Sequence, residues 1–591
     1  MRLPYRNSDF YKNGLPYSNS FKAHTGCVNA VTFSKTNGIS SASTRYPFSH
    51  PNLRIMASGG DCTTVYLWDL FRDFDGATPI HAFSGPTKNI FTLEFNCQDD
   101  TLYCGSNDAV IYKYDLQSQT KDVFGMKSPV YKDKLEDLPT SPPDVRQTSH
   151  ASSISQISAH PIHSSLILSA SSDDELHITD ERVSNYDNVG HFHTTAEWRD
   201  VKWHPVSEHL FGCCDSRGGV YLNDIRKGFT GYNITSGSFS ESVDPFVDDM
   251  SVMQYNAQLT NTHASKRVKL DSSSISFNNT GDLFGVIYQH SFPTIYSLNK
   301  SDPLAVLTGD YLPYGARVSP GERTYSTSCT TKHCSFEGDY FATGSDDFRG
   351  YVWKIPPVSR LLEGRREVSN ESLLEGFENG SFGQYRSVFS KSKDEDVCIP
   401  TIVNRPAFRL EGHASIVNSA MIHPTLPLVA TSGVEKIIKM HTPTPFTNNL
   451  EAKETPKSRK MGNETRSSRR DFLMALLTSP YENEEGTVEE DPLTLNFFDS
   501  LLRRDQEVDI WNEPDSNDEE DEEVDEHDDI DEDDVADVMM RFARDNSFGD
   551  GHEDETDDDD SDGPIVITNN EDEISSDGSE ESIDIDEAYP V

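Results

Sequence analysis

Short apolar runs, each about as long as one β-strand, recur along the chain from Val28 to Met440. The first group comprises residues 28–33, 55–60 and 65–70, and polar segments separate the runs. Short runs rich in β-branched and aromatic residues, bounded by turn-forming residues, favour strands over helices. The pattern therefore predicts a mostly β fold for this part of the chain.

The runs are grouped into units that repeat in one order. A unit opens near a histidine, continues through a strand of small residues and an aspartate turn, and closes with an apolar strand ending in Trp68-Asp69 or an equivalent pair. This order is typical of the WD-type repeat, in which the polar side chains can hydrogen-bond across the strands of one sheet. Three units also share a His-Pro pair at the same place: His160-Pro161, His204-Pro205 and His423-Pro424.

Seven units are present, and they predict an all-β, seven-bladed WD-repeat β-propeller over residues 1–445. Ring closure leaves only short, protected sheet edges. Polar stretches at 117–145, 228–269, 298–327 and 356–407 interrupt the repeat, and we expect surface loops there. The N-terminal residues are candidates to complete the last blade.

The composition changes after residue 445. Residues 446–512 form a basic linker with two stretches of helical apolar spacing, 470–477 and 491–504, which either pack on the propeller or stand apart from it. The net charge is −48, and 36 of the 99 acidic residues lie in residues 513–591, where Arg541 and Arg544 are the only basic ones. Such charge density with few apolar residues predicts a disordered acidic tail.

Several classes of function lack support in the sequence. There is no catalytic Gly-x-Ser-x-Gly, phosphate-binding loop or His-Glu-x-x-His, so we expect neither an enzyme nor a cofactor. Cys329, His333 and Cys334 are not followed by a second ligand pair at zinc-finger spacing, so no metal site is expected. Basic residues are not clustered as direct nucleic-acid binding requires. The polar N-terminus and the absence of a long apolar run favour a soluble intracellular protein without membrane contact.

Two neighbouring units end in the same way. Residues 176–182 close with Asp180 and Arg182, and residues 220–226 close with Asp224 and Arg226. The two arginines lie 44 residues apart, which is the length of one blade. A guanidinium held by a carboxylate is well suited to a protein interface, so we expect the two ends to form one docking surface. The alternative is a pair of structural salt bridges at strand ends.

These endings resemble the Asp-x-Arg boxes of WD-repeat substrate receptors of cullin-4 RING ubiquitin ligases. Thr179 and Asn223 depart from the box, which has an aromatic residue there that packs inside the blade. Other stretches are similar to the DDB-and-cullin-4-associated-factor-5-like subgroup: Gly344–Phe348 with Tyr351–Pro356, Gly412–Asn418, Ser432–Lys439, and Asp491-Pro492 with Phe497–Leu501.

The resemblance implies a non-catalytic substrate receptor. It would dock on the adaptor, damaged-DNA-binding protein 1, through Asp180, Arg182, Asp224 and Arg226, and it would recruit a target for ubiquitination by the cullin-4 ligase. The alternative from a different class is a nuclear WD-repeat scaffold whose acidic tail binds basic partners such as histones.

Three short linear motifs add further hypotheses. Lys266, Arg267 and Lys269 resemble a nuclear-import signal, or they form an ordinary charged loop. Lys457, Arg459 and Lys460, with Arg466, Arg469 and Arg470, form a second, bipartite candidate, and together the two favour location in the nucleus as well as the cytoplasm. Ile565, Val566 and Ile567 precede an acidic run and resemble a SUMO-interacting motif, in which the peptide adds a strand to the partner's sheet; the alternative is a chance apolar run.

Overall fold

The structure is a computed structural model of the whole chain. It describes residues 14–35, 55–70, 78–116, 138–148, 150–182, 188–193, 196–228, 232–233, 238–239, 251–260, 267–369, 372, 387–390, 396–445, 455–461 and 492–505. Within these ranges no helix is both long and apolar enough to cross a bilayer. The same ranges contain no group of three or more His, Cys, Asp or Glu side chains placed to hold a metal ion.

Seven sheets form the blades, and in each the first, second, third and fourth strands, counted from the centre outward, pair antiparallel. They confirm the predicted seven-bladed β-propeller. The strands are Val28–Phe33, Ile55–Gly60, Val65–Asp69 and His81–Phe83 in blade 1; Ile90–Phe95, Thr101–Ser106, Ile111–Asp115 and Val145–Gln147 in blade 2; Ile154–Ala159, Leu166–Ser171, Glu175–Asp180 and Asn188–His193 in blade 3; Trp198–Trp203, Leu210–Asp215, Val220–Asp224 and Ser251–Gln254 in blade 4; Ser272–Phe277, Leu283–Tyr288, Thr294–Ser297 and Lys300–Leu307 in blade 5; Cys334–Glu337, Tyr340–Gly344, Gly350–Lys354 and Phe408–Leu410 in blade 6; and Val417–Ile422, Val429–Gly433, Ile437–Thr442 and Tyr17–Lys22 in blade 7.

The ring is closed by the N-terminal strand. Tyr17–Lys22 pairs antiparallel with Ile437–Thr442, so that Tyr17 lies opposite Thr442 and Lys22 opposite Ile437. This confirms that N-terminal residues complete the last blade. Because the two ends of the propeller share one sheet, the ring cannot open without breaking a complete strand pairing.

The predicted surface loops contain strands. Lys300–Leu307 is the fourth strand of blade 5, and Ser251–Gln254 is that of blade 4. Thr140–Ser141 and Thr401–Val403 add parallel fifth strands to blades 1 and 5. The prediction that these stretches are only loops was wrong, because pairing with strands of the blades, which the local polarity of the sequence does not reveal, orders these segments.

Smaller elements lie beside the blades. They are the helix Val358–Gly364 and three two-stranded sheets: Tyr232–Asn233 with Ser238–Phe239, Gln258–Thr260 with Arg267–Lys269, and Arg366–Val368 with Val397–Ile399. Phe389 bridges to Leu259 and to Cys398, which connects the last two sheets.

Polar groups inside the blades pair as the repeat pattern predicts. In blade 1 the Ser58 hydroxyl lies 2.7 Å from His24 Nε2 and accepts a 2.8 Å bond from Trp68 Nε1. All three side chains are buried. A buried polar group without a partner costs about 1–3 kcal/mol. These hydrogen bonds avoid that cost for the polar side chains buried in the sheet.

The blades define two opposite faces. On the back face lie the turns between first and second strands and the ends of the third strands. The front face carries the turns between second and third strands and the segments that lead into the first strands. The final strand of each predicted box ends at Asp180 or Asp224, so both boxes lie on the back face.

Part of the predicted linker packs on the propeller. Residues 455–461 lie against blades 6 and 7. Thr455 N donates a hydrogen bond to Pro16 O at 2.9 Å, and Ser458 Oγ donates one to Phe348 O at 2.8 Å. The helix Pro492–Asp505 matches the second predicted helical stretch. The stretch at 470–477 and the acidic tail at 513–591 lie outside the described residues.

Candidate protein-docking surface

The two Asp-x-Arg ends have nearly identical geometry. Arg182 donates to Asp180 from its backbone nitrogen and Nε, both at 2.9 Å from Oδ1, and from Nη2, at 2.6 Å from Oδ2. For Arg226 and Asp224 the same three distances are 2.9, 3.0 and 2.6 Å. Each carboxylate therefore holds both the backbone and the guanidinium of the arginine two residues later, in a bidentate arrangement.

The residue between aspartate and arginine fixes each end to its surroundings. Glu181 accepts hydrogen bonds from two blade 2 side chains, Tyr103 Oη at 2.9 Å and Lys113 Nζ at 2.6 Å. Ile225, the equivalent residue in blade 4, is buried in the apolar layer between blades 3 and 4. Each end is thus anchored on the side of the preceding blade, which holds the two arginines in equivalent positions.

The aspartate and the arginine of each Asp-x-Arg end differ in burial, and in blade 4 each shifts the pKa of the other. The Asp180 side chain is fully buried, whereas 29% of the Arg182 side chain and 64% of the Arg226 side chain are exposed. Partial burial alone would raise the pKa of Asp224, but the hydrogen bonds and the charge of Arg226 outweigh it and lower that pKa. The hydrogen bond and charge of Asp224 raise the pKa of Arg226 in turn. The aspartates are structural supports, and the arginine side chains reach solvent, Arg226 more than Arg182.

The two departures from the box lie in the blade interior. Strand pairing sets Trp68 opposite Met56, Thr179 opposite Ile167 and Asn223 opposite Phe211. Thr179 and Asn223 therefore occupy the place of Trp68, and both are buried. Thr179 Oγ1 accepts a 3.1 Å bond from Gln147 Nε2, and Asn223 Nδ2 lies 3.0 Å from Cys213 Sγ. The missing aromatic rings change the packing of the blades and leave the arginines in place.

Two exposed apolar side chains share the back face with the arginines. Ile162 is 54% exposed and Val206 is 62% exposed. Each follows a His-Pro pair in the turn between first and second strands, and the paired residues Leu166–Asp180 and Leu210–Asp224 place these turns beside the Asp-x-Arg ends. The prediction did not include them. The sequence nevertheless distinguishes these two turns. An apolar residue follows the first two His-Pro pairs, whereas the polar Thr425 follows the third.

The His-Pro turns also connect the blades. His160 Nδ1 accepts from the backbone nitrogens of Ile162 and His163 at 3.1 and 2.9 Å, and Nε2 lies 2.9 Å from Glu208 O in the next blade. His204 repeats this arrangement with Gly281 O of blade 5 at 3.0 Å. Because one ring nitrogen accepts and the other donates, both rings are neutral. Burial lowers the pKa of His160 to about 4, although the bond to Glu208 O acts in the opposite direction.

The remaining candidate residues lie elsewhere. Arg267 and Lys269 belong to a strand that pairs with Gln258–Thr260, so this basic cluster is part of a small sheet. Arg459, from the second basic cluster, forms an ion pair with Asp499. Lys266 and the run Ile565, Val566 and Ile567 lie outside the described residues. For Arg267, Lys269 and Arg459, which the structure does describe, the pairings found are with these other segments.

Comparison with known proteins supports the repeat and gives distant relatives. A family model for the WD domain, G-beta repeat, matches residues 16–69, which span the closing strand and most of blade 1. DDB1- and CUL4-associated factor 5 of Mus musculus is 25% identical over 541 residues, which cover 87% of this chain and 43% of that protein. Its Homo sapiens counterpart is also 25% identical over 541 residues, covering 87% of this chain and 44% of that protein.

The chain thus spans less than half the length of the curated relatives it matches. The match nevertheless covers 87% of this chain. With the seven closed blades, it shows that the chain is a WD40-repeat β-propeller scaffold protein distantly related to DDB1- and CUL4-associated factor 5.

Proposed function

We propose that this protein is a non-catalytic substrate receptor of a cullin-4 RING ubiquitin ligase and that its back face docks on damaged-DNA-binding protein 1. The relatives' name links those proteins to DDB1 and CUL4. The observation that carries the proposal is the pair of aspartate-held arginines, Arg182 and Arg226, at equivalent places in adjacent blades.

The physical basis is preorganisation. An arginine side chain loses rotamer entropy when it is immobilised in an interface, by about 0.5–1.5 kcal/mol. The bidentate aspartates have already restricted Arg182 and Arg226 before a partner arrives. Ile162 and Val206 add apolar surface beside these charges. Arginine anchors next to apolar contacts are typical of the residues that dominate binding energy in protein interfaces.

The test is binding of purified damaged-DNA-binding protein 1 to the full chain. We compare wild type with an Arg182→Ala/Arg226→Ala double variant by biolayer interferometry. A matched control, Arg199→Ala/Arg405→Ala, removes the same charge where Arg199 pairs with Glu197 and Arg405 donates to Pro313 O. We expect the control to bind like wild type and the double variant to bind at least about 100-fold more weakly, since an interface anchor contributes about 2 kcal/mol or more.

Two results would refute the docking assignment. Equal affinity of wild type and the double variant would exclude the arginines as anchors. Equal weakening by the control variant would mean that net charge, and not the Asp-x-Arg geometry, governs association. Adding 300 mM salt separates these cases further, because long-range attraction is screened while a desolvated bidentate contact is affected less.

A second candidate function follows from the charge of residues 513–591, which contain 36 acidic residues and two basic ones. In this proposal the protein is a nuclear scaffold whose tail binds basic partners such as histones. Deleting residues 513–591 would then abolish a salt-sensitive association with histones and leave adaptor binding unchanged. Retention of histones by the truncated chain would rule it out.

A further inference from the structure

A groove on the front face is occupied by a helix of the same chain. The groove is formed by Phe348 in the turn of blade 6 and by Ile416 and Val434 of blade 7, and Leu502 of the helix Pro492–Asp505 is fully buried among them. Cys27, Cys329, Met461 and Phe498 pack around this cluster. The groove therefore lies on the opposite face of the ring from the Asp-x-Arg ends.

The helix meets the groove through one face. Phe498 and Leu502 are four residues apart and so lie on the same side of the helix. Between them, Asp499 accepts two bonds from Arg459, at 2.6 Å to Oδ1 from Nη2 and at 3.0 Å to Oδ2 from Nη1. Phe497 is 41% exposed and lies outside the buried cluster. Phe498, Asp499 and Leu502, an aromatic residue, a carboxylate and a leucine at positions i, i+1 and i+4, thus meet the groove together.

The charged partner in the groove is held in position by the propeller. Arg459 donates from its backbone nitrogen to His413 O at 3.0 Å and from Nε to Ala414 O at 2.6 Å. Its guanidinium carbon lies 5.1 Å from the centre of the Phe348 ring, within range of a cation–π contact. These contacts aim the remaining guanidinium nitrogens at the helix, so the groove presents an oriented cation to a carboxylate.

Phe348 has an unusual backbone conformation. Its φ is 69°, in the left-handed region, where Ala109 and Asp174 stand at the matching turns of blades 2 and 3. A bulky side chain at such a position costs about 1 kcal/mol or more. The ring occupies the groove floor, between the guanidinium groups of Arg323 and Arg459. Left-handed residues recur at this turn in several blades, and in blade 6 that residue carries an aromatic ring.

We propose that this groove is a helix-binding site and that Pro492–Asp505 is its exchangeable, chain-internal ligand. A helix of 14 residues is marginal in water on its own, so this segment folds as it docks and unfolds on release. Because the segment belongs to the same chain, its docking is intramolecular, with an effective concentration on the order of millimolar. A free peptide of the same sequence therefore competes poorly until the chain's own helix is displaced. This inference is independent of adaptor docking, which involves the back face.

The test uses the full chain and a fluorescent synthetic peptide of residues 490–507. Fluorescence anisotropy measures its binding to wild type and to a Leu502→Asp variant, whose own helix cannot bury a charge in the groove. We expect saturable binding to Leu502→Asp and at least ten-fold weaker binding to wild type. An Asp499→Arg chain, which repels Arg459, provides a second way to vacate the groove, and thermal unfolding checks that each variant remains folded.

Matched peptides identify the contacts. A Phe497→Ala peptide should bind like the parent, whereas Phe498→Ala and Asp499→Arg peptides should lose most of their affinity. Two outcomes would overturn the proposal: a peptide that binds neither folded variant, or one that binds wild type and variants equally. The first would show that the groove has no affinity for a separate helix, and the second that the peptide binds elsewhere.

Discussion

His160 Nε2 lies 2.9 Å from the carbonyl oxygen of Glu208, so a histidine in a turn of blade 3 donates a hydrogen bond to the corresponding turn of blade 4. His204 makes the same connection from blade 4 to blade 5 through Gly281 O. The repeated His-Pro pairs thus have a mechanical role at the back face. They hold neighbouring turns, and therefore Ile162 and Val206, at a defined spacing.

The first prediction concerns pH. The pKa of His160 is about 4 in the folded protein, because of burial, and about 6.5 in an unfolded chain. Between these values the unfolded chain binds more protons, so the free energy of unfolding falls as pH decreases from about 6.5 to about 4. The pKa of His204 is lowered as well, also by burial, and adds to the effect. Urea unfolding at pH 7.5, 5.5 and 4.5 measures this loss.

A His160→Asn variant isolates the contribution of one turn. Asparagine can still accept the turn amides but does not titrate, so the stability difference between wild type and variant should shrink as pH falls. The control is His193→Asn, which makes the same replacement at an exposed histidine outside the His-Pro turns. A difference between wild type and His160→Asn that is constant with pH would contradict the assignment.

The second prediction separates the aspartates from the arginines. Asp224→Asn weakens the bidentate support of Arg226, whose side chain is 64% exposed, so the free energy of unfolding should change by less than about 1 kcal/mol. Adaptor affinity should nevertheless fall about ten-fold, because the guanidinium is no longer preorganised. Chemical unfolding and biolayer interferometry on the same preparations compare the two effects. A variant that loses stability but keeps its affinity would reverse the proposed role.

The third prediction concerns Thr179, a buried polar residue at the position where the box has an aromatic one. Thr179→Val removes the hydroxyl that accepts from Gln147 Nε2 and preserves the side-chain shape. We expect a loss of about 1 kcal/mol in stability and unchanged adaptor affinity, because Thr179 is buried and does not reach the back face. If Thr179→Val weakened docking without affecting stability, the division between packing and docking would be incorrect.

The fourth prediction concerns ring closure. Phe21, in the N-terminal strand of blade 7, is buried, and its ring lies edge-on to Trp68 of blade 1 at 5.4 Å. Phe21→Ala should reduce the free energy of unfolding by about 3–5 kcal/mol, because it leaves a cavity between the first and last blades. Tyr17→Ala, in the same strand and only partly buried, should cost much less. Urea unfolding of both variants measures the difference.

The amino-acid sequence determined the repeat and its local chemistry. Trp68-Asp69, the His-Pro pairs and the Asp-x-Arg ends recur with the period of one blade, and strand formation depends mainly on nearby residues. The Arg182–Asp180 and Arg226–Asp224 pairs could also be predicted, because partners two residues apart need no tertiary structure to meet.

The tertiary structure decided what lies beside these features. Lys439 Nζ donates to Ser20 Oγ across 419 residues of sequence, and only closure of the ring brings them together. The outer strands from the presumed loops, the exposed pair Ile162 and Val206, and the docked helix around Leu502 depend in the same way on contacts between distant segments. Periodicity specifies which residues form strands, whereas the packing of whole blades against one another specifies which surfaces those strands create.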